Sequence, residues 1–391
     1  VNLFASFSPS GIIKELETCQ TFLACLFIAF IALLAYLFVT QANIKQVNYI
    51  EGCESDETFT VYCNYQNPED LAVLPDGRHI LVSEFGAIVP LSPTNVQGNL
   101  SLLDTTDGRK KNLEIEMSDN VWGDPECQRD SMVLSPHGID INERLDGSYQ
   151  LAIVNHMPTE TIELFELREI NDAWSLTWRG CVNAPVHGYF NDVALSSNGS
   201  FYVSQMYDKN ISLFMLAVLD NTKEDTGYVY HWRRQNGFER LVNTDGAFPN
   251  GVELSDDENN LFINYAFGNK TSKYNLMSNS IEASFSMNGI PDNITVDGDY
   301  IWVGAQDHSG LDSLIYCGVF AKDVFEDPMI NQCPLPFAAY QLRQSDLSLV
   351  NSYKYSNTVM GTATVALSLN GQLYIGTYHG DRIASVELLK E

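Results

Sequence analysis

The chain has 391 residues, 45% of them hydrophobic, and its 50 acids against 22 bases give a formal net charge of −28. That is enough apolar material for one large or two ordinary domains, and the acids are spread along the chain rather than gathered in a disordered tail. Nucleic acid is disfavoured as a partner by this acidic balance, because phosphate contacts need clustered Lys and Arg.

Residues 1–17 read as a short cytosolic tail. Residues 18–44 contain no charged side chain, and the run FLACLFIAFIALLAYLFV from Phe22 to Val39 is long enough to cross a bilayer as a helix. A cleaved signal peptide competes with this reading. The run is long for such a peptide, and no convincing small-x-small cleavage site follows it, so a retained transmembrane signal-anchor is expected. Cys19 and Cys25 lie in or beside it, placed for palmitoylation or for simple packing. Residues 45–66 read as a polar stalk, and 67–391 as the folded domain.

Sequons at Asn99, Asn198, Asn210 and Asn269 put that domain in the endoplasmic reticulum lumen or at the cell surface. Six cysteines lie outside the apolar run, and in that setting they suggest disulfides. Six cysteines allow 15 connectivities; Cys53–Cys63 and Cys317–Cys333 are the local pairings, which would leave Cys127–Cys181. No C-x₂-C pair is present, so the spacing fits no zinc site.

Six stretches share one pattern: a short alternating strand, a turn on Gly, Asp or Asn, then a second apolar strand. They start at Glu69, His137, Asn191, Asn250, Asp292 and Gly361, at spacings of about 40 to 70 residues. The expectation is an all-β six-bladed propeller, one copy per blade. Repeat phase makes 161–170 a strand, while 104–131 and 305–345 read as loops over the faces. Ser385-Val-Glu-Leu reads as a last strand that closes the ring on the first blade.

Before the first strand of four copies stand polar residues: Glu69-Asp70, Asn191-Asp192, Asn250 and Asp292-Asn293. Singly, each is turn chemistry. Recurring at one phase of a propeller, they converge on its channel, and carboxylate and amide oxygens without positive charge suit a hard cation such as Ca²⁺. Gly361-Thr362 breaks the pattern in the last copy. A fifth sequon, at Asn293, coincides with this set. Of the seven histidines, His137 opens the second repeat and His156 closes its hairpin; His187 is a third candidate, and His79 falls in a turn expected to be exposed.

At these residues the chain resembles the serum paraoxonase/arylesterase family, in its membrane-anchored paraoxonase-like branch. PEDLAVLPDGRHILVSE, SPHGID with the later VNH, FND, FPNGVEL and PDNITVD…WVG stand in the family's order across residues 60–391. The resemblance implies two channel calcium ions. The upper would be held by Glu69, Asn191, Asn250, Asp292 and Asn293; the deeper would take Asp70 and Asp192 with backbone oxygens of Leu71 and Ile139. His137 would be the base that activates water and His156 its orienting partner. Two departures stand out. The closing strand, IASVEL, lacks the family's cysteine, and Ala305-Gln306 follow WVG where the family has Cys-His. The loop FGAIVPLSPTN also lacks an expected aromatic residue. The implied function is calcium-dependent hydrolysis of lactones or aryl esters. The alternative is a non-catalytic chaperone or accessory subunit of a membrane protein, such as a degenerin-type sodium channel.

Overall fold

The computed structural model describes residues 21, 23–33, 47–86, 95–171, 173–317 and 332–388. The chain divides into two units, Val1–Lys45 and Gln46–Glu391. In the first, residues 23–33 are helical with exposed side chains. Among the described residues no helix is long and apolar enough to cross a membrane. The 1–17 tail and most of the expected 18–44 anchor lie outside the described residues.

The second unit is an all-β six-bladed propeller. It contains six sheets, five of four strands and one of five. Their innermost strands are Pro68–Val73, Pro136–Glu143, Phe190–Leu195, Pro249–Leu254, Ile290–Asp297 and Ala363–Leu369. Each packs against the next and the last against the first, so the strands ring a central channel. Residues beginning these strands mark its upper end and residues finishing them its lower end. Alternation drives the assembly: one face of each sheet packs on the preceding blade and the other on the following one, as with Leu81, Leu102, Leu151 and Phe165 between blades 1 and 2. The hairpins follow turn chemistry. In blade 6, Asn370 and Gly371 both take positive φ (53° and 78°), as a two-residue type I′ turn requires.

The innermost strand of every blade breaks register near its start. The shifts fall between Pro68 and Asp70, Pro136 and Ile139, Phe190 and Val193, Pro249 and Val252, Pro291 and Ile294, and Ala363 and Ala366. Such a bulge suspends the two-residue alternation and re-aims side chains.

The ring closes differently from the expected stalk-and-propeller division. Thr60–Cys63, inside the 45–66 segment, is the outermost strand of blade 6, antiparallel to Arg382–Glu387, with Thr60 opposite Ser385 and Cys63 opposite Arg382. Phe59 is 1% exposed and packs edge-on to Tyr355 and tilted against Phe337. Arg382 is buried beside it and donates to the carbonyls of Gly52 and Val359. The segment is therefore part of the fold from residue 59 onward. Disulfides join Cys53–Cys63, Cys127–Cys181 and Cys317–Cys333, so Cys63 has a partner without a cysteine in the last strand.

The two expected loops change. The 104–131 stretch holds strands Lys110–Asn112 and Ile115–Glu116, and 305–345 holds a helix, Gly310–Tyr316, and the strand Phe337–Arg343. Asn198 and Asn210 are exposed. Asn269 is not: it is half-buried, its amide donates to the Gly289 carbonyl, and Thr271 of its sequon is fully buried. Asn99 is also half-buried at a strand start, with Ser101 buried.

Phe59→Ala should cost about 3–5 kcal/mol, the usual loss for emptying a buried aromatic site. Urea denaturation reads it; a loss below about 1 kcal/mol would mean that the segment before the first blade is only a tether.

Candidate functional site

The register breaks bring the polar residues into the channel. Glu69, Asp70, Asn191, Asp192, Asn250, Asp292 and Asn293 are each no more than 5% exposed. Close approach of neighbouring strands needs glycine: a Cβ on Gly138 would lie 2.2 Å from Asp192 Oδ1, and one on Gly251 2.3 Å from the Asp292 carbonyl oxygen.

At the upper end the amide groups are oriented by their neighbours. Asn293 Nδ2 donates to Glu69 Oε1 at 2.9 Å. Asn250 hydrogen-bonds the Asp292 carboxylate. Asn191 Nδ2 lies 3.3 Å from His137 Nε2. With the nitrogens so engaged, the oxygens face inward without a donor: Glu69 Oε2, Asn191 Oδ1, Asn250 Oδ1 and Asn293 Oδ1 are buried and unpartnered. Buried acceptors are normally satisfied, and four orphans from four blades are a ready cage for a hard cation. Among the described residues no group of three or more His, Cys, Asp or Glu is arranged to hold a metal; the oxygens here are mainly amide. The fit to Ca²⁺ therefore rests on oxygen chemistry and the absence of donors.

The deeper carboxylates differ. Asp70 accepts the N–H groups of Leu71 and Ile139, each at 2.8 Å, and Asp192 those of Val193 and Val252, each at 2.8 Å. Asp70 and Asp192 thus retain lone pairs but are not orphaned. Below them lie Asp140 and Glu253, which sequence reasoning missed. With Asp70 they line a cavity of about 360 Å³ at the lower end. A signal existed: each stands three residues after a channel residue, Asp140 after His137 and Glu253 after Asn250.

Burial pushes these acids up. Asp70 rises to about 8, and Asp140 and Asp292 to about 7. Glu69, Asp192 and Glu253 also rise well above the usual range through burial, reinforced by the neighbouring carboxylates.

His137 and His156 meet as expected. His137 Nδ1 lies 2.8 Å from His156 Nε2, and His156 Nδ1 lies 3.0 Å from both oxygens of Glu160. Glu160 was not foreseen; it lies outside the repeated motif, four residues beyond His156. Glu160 accepts, so in its neutral form His156 carries its proton on Nδ1, its Nε2 accepts from His137 Nδ1–H, and the lone pair of His137 Nε2 faces the channel. Glu69 Oε1 lies 3.6 Å from that nitrogen. Burial, then His156, holds His137 well below the ordinary imidazole value, so the ring is neutral near pH 7. Phe85 and Tyr189 cover the pair at ring-centroid distances of 4.7 Å from His137 and 5.0 Å from His156 respectively.

The other histidines stand apart. His187 is exposed and bonded to Asn210 at 2.6 Å. His79 pairs with Asp76 at 2.6 Å and is not freely exposed. His308 is buried, with Nδ1 donating to the Ser309 carbonyl. Gln306, where the family has histidine, donates to Asp292 Oδ2 at 2.8 Å. Phe85, the first residue of the loop FGAIVPLSPTN, itself packs on His137, and residues 87–94 of that loop lie outside the described residues.

A family model for arylesterases matches residues 62–384. The chain belongs to the arylesterase family. A search of curated proteins finds no match. Among solved structures, this arylesterase-family chain is similar to a luciferin-regenerating enzyme at 12% identity, covering 85% of this chain and 97% of that one with a TM-score of 0.48. It is also similar to a putative gluconolactonase at 14% identity, covering 87% and 97% with a TM-score of 0.46. Likenesses this loose equate no residues.

With divalent metal chelated, the raised carboxylates make stability pH-dependent. Their protonated forms favour the fold below the unfolded value of about 4, and that contribution is lost as pH rises through about 7 to 8. The melting temperature of chelated protein should fall between about pH 5 and 8. A flat or rising profile would contradict the buried-acid channel.

Proposed function

We propose that this arylesterase-family chain is a calcium-dependent hydrolase of lactones or aryl esters, tethered at a membrane through residues 18–44, with its propeller lumenal or at the cell surface. The observation that carries the reading is the meeting of an oriented neutral base, His137 Nε2, with a set of orphaned oxygens from Glu69, Asn191, Asn250 and Asn293. In this reading those oxygens and Asp292 hold an upper calcium, and Asp70 and Asp192, with backbone oxygens of Leu71 and Ile139, hold a deeper one. Bound there, a calcium ion supplies Lewis acidity to an ester carbonyl and electrostatic support for the charge that develops on its oxygen.

The chain's own residues do the rest. His137 Nε2 takes the proton of the attacking water. Its Nδ1–H, directed at His156 Nε2, keeps the lone pair on the channel side. Phe85 and Tyr189 keep the imidazoles out of bulk water. Asn191 serves both halves, its oxygen toward the cation and its nitrogen toward the base.

Purified protein should hydrolyse members of a lactone and aryl-ester panel, lose the activity with excess chelator, and contain two calcium ions. His137→Gln should lower kcat about 10²–10⁴-fold with calcium content unchanged, His156→Gln should do less, and Asn191→Ala should lose activity and metal together. No calcium-dependent hydrolysis, with a membrane protein co-purifying instead, would replace this reading by the accessory-subunit one. For the topology, glycosidase should shift the protein through Asn198 and Asn210, and sealed microsomes should protect the propeller from protease. Digestion from the cytosolic side would overturn it.

A further inference from the structure

Two buried glutamates stand three residues apart in blade 2 and are treated differently. Glu163 is fully buried and bonded to Arg129, with Trp178 Nε1 on its other oxygen at 2.8 Å. That is ordinary compensation of a buried charge by guanidinium and indole donors. Glu160 is 7% exposed, and among the described residues no Lys or Arg pairs with it. Its carboxylate instead lies symmetrically on His156 Nδ1, 3.0 Å from each oxygen, and accepts the backbone N–H of Phe190 at 2.8 Å. Phe190 immediately precedes Asn191, whose side chain reaches the channel and His137. One carboxylate therefore joins the histidine pair of blade 2 to the channel strand of blade 3.

We propose that Glu160 is a positioning residue, the third member of a Glu160–His156–His137 relay that fixes both imidazole tautomers and the placement of Asn191. This rests on the hydrolase reading for its catalytic consequence, though not for its structural one. Four proton positions define the relay. Phe190 N–H points to Glu160, His156 Nδ1–H points to Glu160, His137 Nδ1–H points to His156 Nε2, and His137 Nε2 is bare. When that nitrogen takes a proton from water, the positive charge is shared along a hydrogen-bonded chain that ends on a carboxylate. Without the carboxylate, His156 has no acceptor beside Nδ1 and can move its proton to Nε2. That proton would then face the one on His137, and the pair could hold its contact only if His137 moved its own proton to Nε2, removing the lone pair from the channel.

The test uses the full chain, ¹⁵N-labelled at histidine, with Glu160→Gln and Glu160→Asp variants. In the wild type, NMR should show both His137 and His156 as Nδ1–H tautomers. In Glu160→Gln, which keeps an oxygen for Phe190 N–H, the tautomers should mix. The kcat should fall about 10- to 100-fold while KM and calcium affinity by titration stay within about twofold. Glu160→Asp should recover part of kcat and restore the single tautomer. A wild type with Nε2–H on either ring overturns the proposal, even if no variant folds. So does a Glu160→Gln protein that melts earlier yet keeps wild-type tautomers and kcat, because the residue would then be structural alone. If wild-type protein hydrolyses nothing, the hydrolase reading fails, and the tautomer spectra still decide the relay.

Discussion

A β-strand turns alternate side chains to opposite faces, so two consecutive residues cannot both line a channel unless the strand breaks step. Every blade here breaks step near the same point of its innermost strand. The break lets Glu69 with Asp70, Asn191 with Asp192, and Asp292 with Asn293 enter the channel as pairs, one member above the other. The rest of the site follows. Gly138 and Gly251 permit the strand approach that crowding in the channel demands. The asparagine nitrogens settle on Glu69, Asp292 and His137, which leaves their oxygens inward.

That arrangement runs against the usual economy of a protein interior. Six carboxylates, those of Glu69, Asp70, Asp140, Asp192, Glu253 and Asp292, gather where burial raises the cost of their charge. Elsewhere the fold answers such groups with guanidinium, as Arg129 does for Glu163 and Arg179 for Glu166. In the channel it supplies only backbone N–H groups and amides. The contrast within one molecule separates groups arranged to receive something positive from groups that merely support the sheet.

The blades and the upper oxygens were legible in the sequence because both depend on local order. Period-two alternation, Gly-Asn-Asp turns and a polar pair at one phase are written within about twenty residues. What escaped depends on partners far along the chain. Thr60–Cys63 has four residues and no neighbouring hairpin; its partner strand begins at Arg382. Glu160 sits beyond the repeated motif, and its meaning appears only when His156 and Phe190 close around it. Asp140 and Glu253 escaped because alternation alone cannot separate a lower channel face from a solvent face. His187 and Asn269 failed in the opposite direction: a chemically suggestive residue type was claimed by a partner from another stretch of chain, His187 by Asn210 and Asn269 by Gly289.

The shared sixth blade also sets an order in time. Its outer strand comes before the strands of the other five blades in the chain and its remaining three come after them. Until Arg382–Glu387 has emerged, Thr60–Cys63 has no ladder to join, and Thr364 has not yet capped the Glu69 carbonyl at 2.6 Å. Asn293 Nδ2, which lies on Glu69 Oε1, spans 224 positions of sequence. Five blades can therefore form during translation while the channel is still open on one side. The acids stay hydrated through that interval, and their burial, with whatever loads the channel, becomes a single late event that waits for the sixth blade.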